Sequence, residues 1–183
     1  AEGEAAFYGP KIDIQIKTAL GHDITIPTCQ LDFSLPERFD LTYIDKDGSK
    51  VRPVVIHRAI LGSSDRFISF LLEETKGVLP IWLSPVQVNI IPVNNEYHLR
   101  YAKEIEKLLL ENGIRVELDS REEKLGYKLR ESVTRKIPVL LVLGDKEKEN
   151  GNVSYRKYGT EETITVSKED FVTLLKNQIE CYK

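Results

Sequence analysis

The order of elements predicts an α/β and α+β chain in two parts. An antiparallel β segment closed by one helix comes first, followed by an α/β domain with a mixed, mostly parallel five-stranded sheet and three helices. Three observations carry this reading. Period-two alternation marks the early chain, in Ile12-Asp13-Ile14-Gln15-Ile16-Lys17 and again in Ile24-Thr25-Ile26. From Val86 onward the pattern becomes strand, helix, strand, helix, strand, the order that gives parallel strands joined by right-handed crossovers. Between these regions, the apolar Val78 to Pro85 stretch contains two prolines and suits neither a helix nor a central strand. It divides the chain into residues 1–79, a packed connector at 80–85 and residues 86–183.

Each element has its own signal. Gly21-His22-Asp23 reads as a turn between the first two strands. Asp45-Lys46-Asp47-Gly48 predicts a hairpin joining Leu41–Ile44 to Val51–Leu61. After Gly62 the chain passes through Ser63 and Ser64 into a helix over about 64–76, with Phe67, Phe70 and Leu71 at helical spacing and Gly77 after its end. In the second part, Val86–Ile91 is a strand and Glu96–Asn112 a helix with Tyr101, Ile105, Leu108 and Leu109 on one face. Ile114–Leu118 is a strand, Glu122–Lys136 a helix and Val139–Leu143 a strand. Two short strands follow near Val153–Arg156 and Thr163–Val166. A last helix opens at Ser167-Lys168-Glu169-Asp170, close to a capping box.

The totals narrow the function classes. With 183 residues, 41% hydrophobic and 30% charged, the chain can build a proper core. No apolar run reaches membrane-spanning length, and Ala1-Glu2-Gly3-Glu4 carries no basic leader. The only cysteines, Cys29 and Cys181, lie far apart, which excludes a disulfide framework and fits a reducing cytoplasm. A net charge of −3 argues against a chain coated in nucleic-acid-binding surface but leaves room for a local basic face. Methionine is absent even at position 1, so the chain is expected to be the C-terminal part of something longer.

Two stretches are candidates for chemistry. Val54 to Phe67, VVIHRAILGSSDRF, places Arg66 at a strand-to-helix corner. A rigid guanidinium there can stack on a flat base or clamp a phosphate, and Gly62 allows close approach to the backbone. His57, in the apolar strand of the same stretch, reads on sequence alone as a hydrogen-bonded structural histidine. In the helix expected over 122–136, Arg121, Lys124, Lys128 and Arg135 fall within roughly 60° of one another beside an apolar stripe of Leu125, Leu129 and Val133. That row is either a solvated basic face or a track for a phosphate backbone.

VVIHRAILGSSDRF resembles motif 3 of the class II aminoacyl-tRNA synthetases, in the wording of the threonyl-tRNA synthetase family. Phe7-Tyr8-Gly9-Pro10-Lys11-Ile12-Asp13, Thr28-Cys29-Gln30-Leu31-Asp32-Phe33-Ser34-Leu35-Pro36 and Gly144-Asp145-Lys146-Glu147 carry the same resemblance along the chain. It implies a ligase that uses ATP with Mg2+ to activate threonine and then charges tRNA(Thr). Arg66 would stack on the adenine, Lys11 would lie near the adenylate phosphate, and Tyr8 near the substrate amino group. Thr28 and Gln30 would be adenylate and substrate-pocket contacts. The resemblance also implies a Zn2+ held by one Cys and two His, of which His57 matches the last, the others lying upstream of this chain. Cys29 stands where the family has an apolar residue.

For the second domain the resemblance implies anticodon-loop binding. Glu147 and Arg156 would read base edges, and Arg121 and Lys124 would contact the loop, with Lys128 and Arg135 on the same basic face. The chain departs from the pattern at Glu122, where most members carry Asn, because a carboxylate cannot donate to a base oxygen as an amide can. The parent enzyme would be a homodimer in the cytoplasm, with no membrane or DNA partner. Since motifs 1 and 2 are not in the chain, the fragment is expected to be inactive alone. A non-catalytic RNA-binding module, or a relative specific for proline, histidine or glycine, stays open on these residues.

Overall fold

The computed structural model describes residues 5–182, which divide into two compact units between Lys76 and Gly77. In the first, β1 (Lys11–Lys17) and β2 (Asp23–Asp32) form an antiparallel pair. After α1 (Ser34–Arg38) come the short β3 (Tyr43–Ile44) and β4 (Lys50–Val51), then β5 (Val55–Ala59) and α2 (Ser64–Glu74). The three-stranded sheet runs β1-β2-β5, with β5 antiparallel to β2.

This pairing corrects the expected hairpin. Only Lys50–Val51 pairs with Tyr43–Ile44, and Val55–Ala59 joins β2 instead. Pro53, which has no amide to donate, separates the two strands. Arg52 holds the separation in place by donating to the Pro36 carbonyl and to Asp40, the latter at 2.9 Å. α1 was not expected. It starts where the Asp32 carboxylate accepts the amides of Ser34 and Leu35 at 2.8 and 2.9 Å, the orphan donors that open any helix.

Register assigns the faces of this sheet. Lys11, Gln30 and His57 lie opposite one another, as do Asp13, Thr28 and Ala59, so these side chains share a face. Ile12, Cys29 and Arg58 share the other, together with the Leu31–Ile56 pair. That second face is apolar and open, with Ile12 71% and Ile56 62% exposed.

In the second unit the elements are β6 (Val88–Pro92), α3 (Asn95–Glu111), β7 (Val116–Leu118), α4 (Leu125–Thr134), β8 (Val139–Leu143), α5 (Asp145–Asn150), β9 (Asn152–Lys157), β10 (Ile164–Ser167) and α6 (Lys168–Glu180). The sheet order is β10-β9-β8-β6-β7, with β6 parallel to both β7 and β8, and β9 and β10 added antiparallel. One face carries the core: Val88, Ile90, Leu141, Leu143, Val153 and Tyr155 meet Ile105 and Leu109 of α3 and Phe171 and Leu175 of α6. Alternation turns Asn89 to the opposite face, where it donates to Ser132 of α4.

Residues 80–85 pack with this second unit. Ile81 is in its core, and Arg115 donates to the carbonyls of Trp82 and Ser84, each at 2.8 Å. Two element bounds differ from expectation. α4 starts at Leu125 and not Glu122, because the Asp119 side chain bonds the Arg121 amide and competes with helix there. Asp145–Asn150, a run of charge without apolar periodicity, is helical because Glu147 caps it through the Gly144 amide. Leu109 is fully buried. Leu109→Ala should therefore cost about 2–5 kcal/mol, read as a fall in denaturation midpoint for the second unit.

Candidate functional site

On the polar face of the first sheet, four predicted residues, Tyr8, Gln30, Thr28 and Lys11, belong with Asp13 to one hydrogen-bonded chain. The Tyr8 hydroxyl donates to Gln30 Oε1 at 2.7 Å, Gln30 Nε2 donates to Thr28 at 3.4 Å, Thr28 donates to Asp13 at 2.7 Å, and Asp13 pairs with Lys11 at 2.6 Å. The Lys11 ammonium foremost, then the Thr28 hydroxyl, holds the Asp13 carboxyl below its ordinary range. The same contact tethers the Lys11 side chain to the row.

Gly9 makes this arrangement possible. At φ 151° it brings the loop so close to β2 that a Cβ would meet the Leu31 carbonyl oxygen at 2.4 Å. Leu31 donates to the Pro10 carbonyl and Phe33 to the Tyr8 carbonyl, both at 3.0 Å, so the loop is tied down on each side of the glycine.

Beside this row stands His57, whose Nε2 donates to Asp32 at 2.9 Å. Asp32 is 3% exposed, and the Leu35 amide foremost, with help from His57 and the Ser34 amide against the effect of burial, keeps its carboxyl ionised below the usual range. Tyr8, Gln30, Asp32, Arg38 and His57 line a pocket of about 430 Å³, closed by Phe7, Ser34 and Leu35. His57 is therefore neither free nor in a sealed core. Its side chain is 44% exposed, with Nε2 committed to a carboxylate. Among the described residues, no group of three His, Cys, Asp or Glu side chains could hold a metal by itself.

Arg66 lies outside that pocket lining, exposed in the first turn of α2, whose cap is the Ser63 hydroxyl. Gly62 seats the corner against the Ile26 carbonyl, 3.3 Å from where a Cβ would be. Sequence reasoning gave no role to Asp13, Asp32 or Arg38. The signal for Asp32 was present in the two-residue spacing Thr28, Gln30, Asp32, which puts all three on the face of His57. Arg38 comes from a helix that no periodicity announced.

The second unit corrects the expected row of four solvent-facing cations. Lys128 is 2% exposed, and its ammonium donates to the Asp119 carbonyl at 3.0 Å. Arg121 grips both Asp119 oxygens, at 2.9 and 2.7 Å, and reaches Glu131 at 2.9 Å. Arg135 is bidentate to Glu117, at 2.6 and 2.7 Å. Lys124, exposed, caps α4 through its backbone. Residues 121–124 are not helical, so they share no face with α4, and a long aliphatic stem lets Lys128 turn inward.

On the sheet face opposite the main core, Glu147 accepts from the Ser154 hydroxyl at 2.6 Å and from the Gly144 amide at 2.9 Å, and Ser154 also meets Thr165 at 2.8 Å. Burial pushes the Glu147 carboxyl up, but the Ser154 and Gly144 donors outweigh it and hold it below its ordinary value. Arg156 lies on the same face of β9, its Nε donating to Thr163 at 2.9 Å. Glu147, held from α5, and Arg156, on β9, thus offer a fixed carboxylate acceptor and a planar cation, groups suited to hydrogen-bonding nucleotide edges.

The chain thus joins a polar antiparallel face and a strand-to-helix arginine to an α/β domain that carries fixed hydrogen-bonding groups. Residues 2–75 match the family model described as "tRNA synthetase class II core domain (G, H, P, S and T)", and residues 87–178 match "Anticodon binding domain". The chain thus belongs to the class II aminoacyl-tRNA synthetases that carry this anticodon-binding domain. It is 59% identical over 180 residues to a threonine–tRNA ligase of Oceanobacillus iheyensis, covering 98% of this chain and 28% of that protein. It is also 58% identical over 172 residues to threonine–tRNA ligase 1 of Bacillus subtilis, covering 94% and 27%. The crystal structure of the RNA-binding domain of threonyl-tRNA synthetase from Cryptosporidium parvum superposes with a TM-score of 0.86 at 38% identity, over 96% of this chain and 44% of that one. The chain thus spans little more than a quarter of the length of these curated relatives.

Two outcomes follow from the geometry. Gly9→Ala should displace Tyr8 from Gln30, read as lost chemical-shift dispersion around Tyr8 and Leu31 while the spectrum of residues 77–182 is unchanged. Asp119 and Glu117 are held below their ordinary values of 3.8 and 4.5 by Arg121 and Arg135 respectively. Their stabilising contribution is complete above the unfolded values and is lost as pH falls through the lower folded ones. Denaturation midpoints of the second unit should therefore fall between about pH 5 and pH 3, and less steeply in Asp119→Asn.

Proposed function

We propose that the protein to which this chain belongs is a threonine–tRNA ligase. The observation that carries this reading is the single hydrogen-bonded row Tyr8–Gln30–Thr28–Asp13–Lys11 with Asp32–His57 beside it. The sequence identity to enzymes of that name supports threonine over proline, histidine or glycine. In the first step a threonine carboxylate oxygen attacks the α-phosphorus of ATP and pyrophosphate leaves. In the second, the terminal ribose hydroxyl of tRNA attacks the carbonyl carbon and AMP leaves.

The residues take distinct parts. Lys11, held by Asp13, faces the phosphate on which charge develops in the transition state. Arg66 stacks on the adenine. Tyr8 and Gln30 orient the amino acid in the pocket, and Thr28 links them to the Lys11 end. His57 fits as one ligand of a metal whose other ligands lie outside this chain: a buried carboxylate fixes one ring nitrogen and leaves the other available. A zinc ion there would act as a Lewis acid for the threonine amino and hydroxyl groups, a preference that disfavours valine. Mg2+ would accompany ATP.

In the second unit, Glu147 and Arg156 read bases of the anticodon loop and Lys124 meets its backbone. Arg121, Lys128 and Arg135 hold the 119–124 segment that presents Lys124, with Glu122 as its neighbour. We assign residues 1–79 to the catalytic domain, 80–85 to a connector and 86–183 to anticodon binding, in a cytoplasmic homodimer. Among the described residues no helix is long and apolar enough to cross a membrane.

Threonine-dependent ATP–pyrophosphate exchange by the whole protein tests this reading. Arg66→Ala should lower kcat/KM for ATP roughly thirtyfold, since a desolvated cation–π contact is worth about 2 kcal/mol. The 183-residue chain alone, without motifs 1 and 2, should give no exchange. Anticodon-loop binding without exchange by the whole protein would replace the ligase with a non-catalytic RNA-binding module, and exchange with another amino acid would replace threonine.

A further inference from the structure

α5 carries Glu147 yet has no buried residue of its own. A helix of six residues is too short to hold itself, and one with no buried side chain depends on polar tethers for its orientation. It has three. Glu147 is bonded to Ser154, Lys148 donates to the Tyr97 carbonyl at 3.1 Å, and Asp145 meets His98 Nε2 at 3.0 Å. The one α3 side chain among these partners, His98, is buried at 3% exposed, whereas the Asp145 side chain is 82% exposed.

The ring's protonation pattern follows from its partners. His98 Nδ1 receives the Asn94 amide at 3.1 Å, so it is an acceptor and carries no proton. Nε2 then holds the proton and donates it to the Asp145 carboxylate. Asn94 is also the cap of α3, its side chain accepting the Glu96 amide at 2.7 Å. One buried ring therefore joins the start of α3 to the first residue of α5.

We propose that His98 is a positioning residue for the RNA-reading segment: through Asp145 it fixes α5, and with it the Glu147 carboxylate, in the orientation that meets a single-stranded RNA loop. This rests on the anticodon-binding reading of the second unit. His98 touches no nucleotide itself. It acts by limiting the orientations of α5 before binding, so that less order has to be imposed when RNA arrives.

The test uses the protein with a synthetic RNA hairpin bearing the anticodon loop of a threonine tRNA, together with amide hydrogen exchange of residues 145–150. Asp145→Ala cuts the tether from its exposed end. It should weaken hairpin binding about tenfold and speed exchange in α5 while leaving the melting temperature unchanged. His98→Leu should weaken binding similarly, and His98→Gln, whose amide can both accept from Asn94 and donate to Asp145, should restore most of it. Unchanged exchange and unchanged binding in Asp145→Ala would overturn the inference while wild-type and Glu147→Ala binding still report on the anticodon reading. Failure of the wild-type protein to bind the hairpin would overturn both.

Discussion

The first unit is organised by the buried carboxylate of Asp32. It ends β2, starts α1 by accepting two amides, and holds the imidazole of β5. An ionised group with so little access to water is tolerable only when its acceptor sites are filled, and here three donors converge on it. β2, the α1 that follows it and the more distant β5 thus meet at one charge. The pocket exists because that charge must be satisfied from several directions, which fixes the walls on which Tyr8, Gln30 and His57 stand.

The second unit uses charge differently. Its main core is aliphatic and aromatic, but α4 is tied to the opposite face by Asn89–Ser132, Lys128 with the Asp119 carbonyl, and the Arg121–Glu131 and Arg135–Glu117 ion pairs. Polar pairing of this kind stabilises less than an apolar seam of equal area but fixes orientation more narrowly. On the proposed anticodon-binding reading, orientation is what matters, since a few groups must meet a nucleic acid. The cost is sensitivity to acid, since the carboxylates in these pairs work only while ionised.

Much of this was legible in the residues. The strand–helix alternation after Val86 gave the second fold, because each element there is long enough for its period to show. Alternation marked β1 and β2 as strands, while the register between them, which puts Lys11, Asp13, Thr28 and Gln30 on one face, came only with the structure. What could not be read were features set by tertiary partners. Val55–Ala59 chose β2 over the nearer Leu41–Ile44, a choice made by Pro53 and by the Arg52 anchor. The inward turn of Lys128 depends on a carbonyl in a loop whose course the sequence does not specify. α5 was hidden because its cap is a glutamate three residues inside a run of charges, where composition suggests a solvated loop.

The apolar side of the first sheet has a consequence for handling the molecule. Ile12, Ile14, Ile56 and Ile60 present a hydrocarbon surface beside two strand edges, β1 and β5, that pair with no other strand among the described residues. Such a surface is what chaperones bind and what drives chains together in concentrated solution. Produced on its own at high concentration, this polypeptide would self-associate through its amino-terminal half, and detergent or a dilute preparation would be needed to keep it dispersed.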